Sequence, residues 1–219
     1  MVKHSTRPDL HLESALWAEG CRFVCGVDEV GRGPLAGPVV SAAVIFPPHL
    51  DLVSSGLSAL NDSKKLSPTQ RNRLLPIIQA SALSVGIALV SPQEIDRINI
   101  RKASLLAMEK ALSHLTVDPD YVLVDGRDWP PGLTCRGEAV IRGDGVSATI
   151  AAASVVAKVH RDSLMAELAG VYPGYGWERN QGYPTREHRQ ALLDSGVTEV
   201  HRRSFRPVRE ALERCREVE

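Results

Sequence analysis

The 219-residue chain has no apolar run approaching the ~18 residues of a membrane span. Its opening stretch, MVKHSTRPDLHLESALWAEG, holds no apolar signal core, so secretion is not indicated and the cytoplasm is the expected compartment. Cysteine is sparse and fits no zinc pattern: Cys21 and Cys25 are separated by three residues, Cys135 and Cys215 stand alone, and no His pair is spaced to complete a site. Reduced thiols are expected. Net charge is also missing, with 26 Lys and Arg against 26 Asp and Glu, so nothing global points to nucleic acid. A polyanion site must come from local patches such as HRRSFRPVR near the C-terminus. Internal repeats, low-complexity tracts and linkers are absent, which leaves one main domain. Walker A, H-E-x-x-H and Ser–His–Asp patterns are absent too.

What is present is an ordinary globular composition, 43% apolar and 24% charged. RFVCGVD and PVVSAAVIF read as buried strands joined by a turn rich in Gly and Pro. NDSKKLS is a loop before a helix, with Ser67 suited to the N-cap and Pro68 to the first helical position. LSVGIALV is a third strand, and SPQEIDRINIRKASLLAMEKALSHL has helical periodicity through Ile95, Ile98, Leu105, Leu106, Met108 and Leu112. YVLVDG and GEAVIRGDG supply a fourth and fifth strand, and SATIAAASVVAKVHRDSLMAELAG a long helix rich in small residues. An irregular stretch and two short helices follow. The order predicts an α/β fold, a mixed sheet flanked by helices with a helical C-terminal extension.

Three strands end in carboxylates beside glycines: Asp28 and Glu29, Asp125, and Asp144. Ligand sites collect at strand ends of α/β sheets, and carboxylates gathered within ~4–6 Å raise one another's pKa unless a cation joins them. Oxygen-only ligands point to Mg²⁺ or Mn²⁺. The competing reading is that each Asp caps a turn. Asp28 and Glu29 face opposite ways on a regular strand, so they share a site only if the strand twists or ends between them. GRGPLAG is one residue too long for the dinucleotide fingerprint and precedes a strand, which excludes a helix-bound pyrophosphate.

Seven ordered segments, GVDEVGRGPLAGPVV, NDSKKLS, EIDRINI, YVLVDG, GDGVSATIAAASVVAKVHRD, GYPT and HRRSF, closely resemble the bacterial ribonuclease HII family over about residues 22–209. The resemblance implies a ribonuclease H-like fold with a five-stranded mixed sheet. It divides the chain into a polar N-terminal arm at 1–15, a catalytic domain at 16–170 and a helical C-terminal extension at 171–219. It implies an endoribonuclease that cuts the RNA strand of RNA–DNA hybrids, and cuts 5′ of single ribonucleotides embedded in duplex DNA. The products carry 3′-hydroxyl and 5′-phosphate ends. The related ribonuclease HIII usually has lysine where this chain has Arg32.

By the same resemblance Asp28, Glu29, Asp125 and Asp144 are the catalytic acids and hold two Mn²⁺ or Mg²⁺ ions, with Asp28 and Asp125 as central ligands. Gly31, Arg32 and Gly33 match the family's Gly-Arg-Gly motif, and Tyr183 its substrate-junction tyrosine. Glycine lets a backbone approach the ribose closely, and a guanidinium can take a phosphate. Lys64 and Lys65 suit phosphate contacts, and Ser154 and Lys158 share one helix face, all four being candidate substrate contacts. Asp162 is expected to pair locally with Arg161 or Lys158, and Arg202, Arg203 and Arg206 to serve the duplex backbone or the fold. A monomer without an obligate protein partner is expected. Two other classes remain open on the residues alone: a resolvase-type DNA nuclease and a non-catalytic nucleic-acid-binding module.

Overall fold

Five strands form one sheet in the order β3-β2-β1-β4-β5, in a computed structural model that describes residues 7–217. β1 (Val24–Val30) runs antiparallel to β2 (Val39–Ile45), which runs antiparallel to β3 (Ser84–Val90). On its other side β1 is parallel to β4 (Tyr121–Asp125), which is parallel to β5 (Gly137–Val140). The sheet is thus mixed, as expected. β2 is buried along its whole length, which explains a sequence apolar at every position but Ser41, whose hydroxyl donates to the Asp28 carbonyl at 2.7 Å.

Helices cover both faces. Eight α-helices are described: α1 (His11–Ala18), α2 (Pro68–Ser81), α3 (Pro92–Ile98), α4 (Ile100–Ser113), α5 (Ala148–Val171), α6 (Trp177–Asn180), α7 (Arg186–Asp194) and α8 (Arg206–Glu217), with 3-10 turns at Ser63–Lys65 and Gly143–Gly145. On one face, Val40, Ala42 and Val44 pack with Leu74 and Ile78 of α2 and the alanines of α5. On the other, Cys25, Val27, Ala43, Ile45, Val122 and Val124 pack against Met108, Ala111 and Leu112 of α4. Small residues let α5 lie against the sheet. A Cβ on Gly26 of β1 would sit 2.2 Å from the Thr149 backbone, closer than any side chain allows.

The helix caps explain two boundaries. Ser67 and Gln70 form a reciprocal capping box at the start of α2, with Pro68 in its first turn. The periodic stretch from Pro92 to Ser113 is two helices rather than one. Asn99 breaks it with φ 69°, and its Oδ1 accepts from the Lys102 N–H at 3.1 Å to start α4.

The segment read as a polar arm is anchored throughout its described part, from Arg7, whose Nη1 donates to the Ser58 carbonyl at 3.0 Å; residues 1–6 lie outside the described residues. The Asp9 N–H donates to the Val146 carbonyl at 3.1 Å, and the Ala148 N–H donates back to the Asp9 carbonyl at 2.8 Å. Glu13 of α1 is fully buried, and its Oε1 accepts from the Ser147 hydroxyl at 2.6 Å, the Thr149 hydroxyl at 2.8 Å and the Thr149 N–H at 2.9 Å. A carboxylate thus meets one of the unpaired N–H groups that open α5. Cys21, Cys25 and Cys135 are free thiols. No helix among the described residues is long and apolar enough to cross a membrane.

Candidate active site

β1 and β4 are parallel neighbours, so their C-terminal ends lie on one edge. The register pairs Val27 with Val124, which sets Asp28 and Asp125 side by side one residue further on. Strand alternation places both away from α4, because Val27 and Val124 already face it. Asp144 arrives from the 3-10 turn before α5, and its N–H donates to the Asp125 Oδ1 at 3.3 Å. Carboxylate oxygens of Asp28, Asp125 and Asp144 all lie within 4.8 Å of one another.

Glu29 stands apart. β1 continues through Val30, so Glu29 points to the α4 face and lines a small cavity with Arg32, Ser104, Leu105, Met108 and Asp125. Its Oε1 accepts from Arg32 Nη1 at 3.3 Å. Asp125 also borders a second, larger cleft of about 570 Å³, lined by Asp62, Lys64, Lys65, Arg142 and Asp144. It is the one acid that borders both clefts.

Burial and mutual repulsion hold these acids above the usual carboxylate range. Asp28, only 4% exposed, is raised by burial, then by the Glu29 and Asp125 charges. Burial likewise pushes Glu29 up to about 7 in spite of Arg32, and raises Asp125 against the N–H groups of Asp144 and Gly143. Asp144 is pushed up to about 6 by burial and Asp125. Lys64 Nζ lies 3.9 Å from Asp144 Oδ2; burial opposes its charge, but Asp28 and Asp144 outweigh that and raise its pKa. One ammonium cannot neutralise this cluster. Its donor set, hard carboxylate oxygens alone, fits a divalent cation such as Mg²⁺ or Mn²⁺.

Beside the acids runs the Gly31–Arg32–Gly33 loop. Gly31 has φ +96°, and a Cβ there would fall 2.2 Å from Arg161 Nε and 2.9 Å from the Pro38 carbonyl. Two fully buried arginines support this loop and its neighbours. Arg161 of α5 donates to the carbonyls of Pro38 at 2.9 Å, Gln181 at 3.0 Å and Ala36 at 3.2 Å. Arg202 donates to those of Gly31 at 2.6 Å, Gly37 at 3.0 Å and Arg32 at 3.1 Å. Burial lowers both pKa values, to about 10 and about 9. Arg202 therefore serves the fold rather than a duplex backbone. Arg161 does not pair with Asp162, which instead meets Lys158 Nζ at 2.6 Å and Arg71 at 3.4 Å.

Tyr183 is 39% exposed, and its ring stands beside Gly33, where a Cβ would meet Cε1 at 3.4 Å. The Tyr183 carbonyl is 3.0 Å from His188 Nδ1, and His188 Nε2 is 3.1 Å from His201 Nε2. Trp177 Nε1–H donates to His188 Nε2, and Thr198 N–H to His201 Nδ1. His188 Nε2 and His201 Nδ1 are therefore acceptors, and His188 donates from Nδ1 to Tyr183. Burial pushes His201 down to about 3. Lys64 and Lys65 line the larger cleft. Ser154 and Lys158 do not line it: Ser154 is buried, donating to Ser63 Oγ at 2.9 Å beneath Asp28, and Lys158 is engaged with Asp162.

Sequence reading missed Arg161, Arg202, His188 and His201 as supports of this loop region. For Arg161 a signal existed: it sits four residues from Ala157 and four from Met165, both fully buried, hence on the inward face of α5.

A family model described as Ribonuclease HII matches residues 25–208. The chain is 56% identical over 207 residues to the Ribonuclease HII of Ruegeria pomeroyi, covering 94% of this chain and 86% of that one. It is 55% identical over 213 residues to that of Rhodospirillum rubrum, covering 94% and 93%. The crystal structure of ribonuclease H2 from Pyrococcus horikoshii superposes with a TM-score of 0.76 at 27% identity, over 89% of this chain and 99% of that chain. Bst-RNase HIII in complex with Mn²⁺ has the same fold, with a TM-score of 0.71 at 19% identity, over 93% and 74%. With its sheet order, its acid edge and these relatives in agreement, the chain belongs to the ribonuclease HII family and is an endoribonuclease, a hydrolase.

Proposed function

We propose that this enzyme hydrolyses the RNA strand of RNA–DNA hybrids and also nicks duplex DNA on the 5′ side of a single embedded ribonucleotide, leaving 3′-hydroxyl and 5′-phosphate ends. The observation that carries this is the placement of a carboxylate cluster and the Gly31–Arg32–Gly33 loop at the end of the same strand, two to five residues apart. Asp28, Asp125 and Asp144, with Glu29 on the other side of Asp125, would hold two Mg²⁺ or Mn²⁺ ions, which would supply Lewis-acid activation of water and charge neutralisation at the leaving oxygen. The chain's own residues do the rest. Lys64 and Lys65 attract the scissile strand into the cleft that they line. Arg32, 53% exposed at its side chain, exchanges Glu29 for a backbone phosphate. Ser154 sits beside Asp28 rather than on the substrate, and its polar side chain favours the ionised form of Asp28. Tyr183 packs its ring on the sugar at the junction, where a 2′-hydroxyl on the neighbouring residue separates RNA from DNA. The enzyme acts as a monomer in the cytoplasm.

Two labelled duplexes, identical except for one ribonucleotide, test this with Mg²⁺ or Mn²⁺ and a chelator control. A metal-dependent nick beside the ribonucleotide alone is expected. Cutting of both duplexes identifies a DNA nuclease of resolvase type, and binding without cutting a non-catalytic module.

A further inference from the structure

The Gly31–Arg32–Gly33 loop has a polarity set from below. Arg202 is fully buried, and its guanidinium fork donates to the Gly31 and Arg32 carbonyls from Nη2 and Nη1, and to Gly37 from Nε. A trans peptide is planar, with its C=O and N–H on opposite sides. Drawing the Gly31 and Arg32 carbonyls inward therefore turns the N–H groups of Arg32 and Gly33 outward. Both residues are exposed, and neither N–H has a protein partner among the described residues. A cation on the carbonyl end of a peptide also polarises its N–H, which strengthens it as a donor. Lysine in place of Arg202 cannot do this, because a point ammonium cannot reach three separate carbonyls in one plane.

We propose that Arg202 is a positioning residue for substrate discrimination: by holding the Gly31 and Arg32 carbonyls inward it presents the Arg32 and Gly33 N–H groups, which take the ribose 2′-oxygen as acceptor. This rests on the loop reading the ribose. Carbonyl oxygens at that edge would instead have accepted the hydroxyl proton, so the inference fixes the direction of the hydrogen bond as well as the residue responsible.

The test uses Asp125→Asn protein with Mg²⁺, so that binding is measured without turnover, and two duplexes differing by one 2′-oxygen. Tighter binding of the ribonucleotide duplex is expected. No preference at this stage overturns the role of the loop itself, before Arg202 is touched. Adding Arg202→Lys should reduce the ratio of the two Kd values by about tenfold, the scale of one hydrogen bond. Equal weakening of both duplexes makes Arg202 merely structural and overturns the proposal. Should Arg202→Lys fail to fold, the amide spectrum of the Asp125→Asn protein decides. The Arg32 and Gly33 amide protons should move downfield with the ribonucleotide duplex and not with its DNA twin; identical shifts overturn the proposal.

Discussion

Asp28 and Glu29 are consecutive in β1 yet face opposite sides of the sheet, Asp28 toward Ser154 of α5 and Glu29 toward Ser104 and Met108 of α4. Asp125, at the end of the neighbouring strand, borders the cavities on both sides. The acids are divided by the sheet and joined by one residue.

Asp125→Asn should therefore cost more than the loss of any acid confined to one side. A fall of ~10³-fold in the single-turnover rate corresponds to roughly 4 kcal/mol of transition-state stabilisation. A residual rate above about a tenth of wild type would remove Asp125 from the metal ligands.

Asp144→Asn should stabilise the metal-free protein at pH 8. Its folded pKa of about 6 lies above the ordinary aspartate value of 3.8, so folding at pH 8 must ionise it at a cost. Because the folded form binds the proton more tightly, wild-type stability falls as pH rises through 6, and the advantage of Asn grows with it. We expect roughly 1–2 kcal/mol at pH 8, equivalent to about 3 °C or more in Tm, shrinking at pH 5. Melting curves in chelator at the two pH values measure this. A gain larger at pH 5 than at pH 8 would refute the repulsion it rests on.

Gly31→Ala places a methyl against Arg161, whose three hydrogen bonds leave it nowhere to swing. Backbone at φ +96° adds strain of its own. We expect a loss of about 3 kcal/mol or more in unfolding free energy, with activity falling alongside. A urea midpoint within experimental error of wild type would contradict this packing.

Glu13→Ala removes the acceptor for two hydroxyls and an N–H at the start of α5, and should cost about 2–4 kcal/mol. Glu13→Gln keeps the Oε1 acceptor and puts an amide where Oε2 has no hydrogen-bond partner, so it should stay near wild type. Equal urea midpoints for the Ala and Gln variants would show that α1 is a passenger.

The strands were legible because their apolar runs sit between turn residues, and the acids because Asp beside Gly after an apolar run marks a strand end. Five strands and a mixed sheet were read from the residues and their ribonuclease H-like arrangement from the resemblance, and the structure contains both. The break at Asn99 was hidden, since Ile95, Ile98 and Leu105 keep one helical period across it while a single left-handed residue turns the chain. The separation of Glu29 from Asp28 was legible as a condition, that the strand twist or end between them, and β1 runs on past both to Val30. The buried arginines were the hardest to see. Their partners are main-chain carbonyls from residues 31–38 and 181, which have no side-chain signature, so the sequence left Arg202 in HRRSF between the duplex backbone and the fold.

The pairing of β1 with β4 carries one more consequence. The two residues that anchor the acid cluster are 97 positions apart in sequence, yet their separation is that of adjacent strands, about 4.8 Å. The spacing of the reaction centre is thus a lattice constant of the backbone, indifferent to the length of whatever connects the strands. β2, β3 and the helices between them can lengthen or shorten among relatives without moving the acids, provided that β1 keeps its register against β4. A one-residue slip there would send Asp28 to the α4 side and dismantle the centre with every side chain still present.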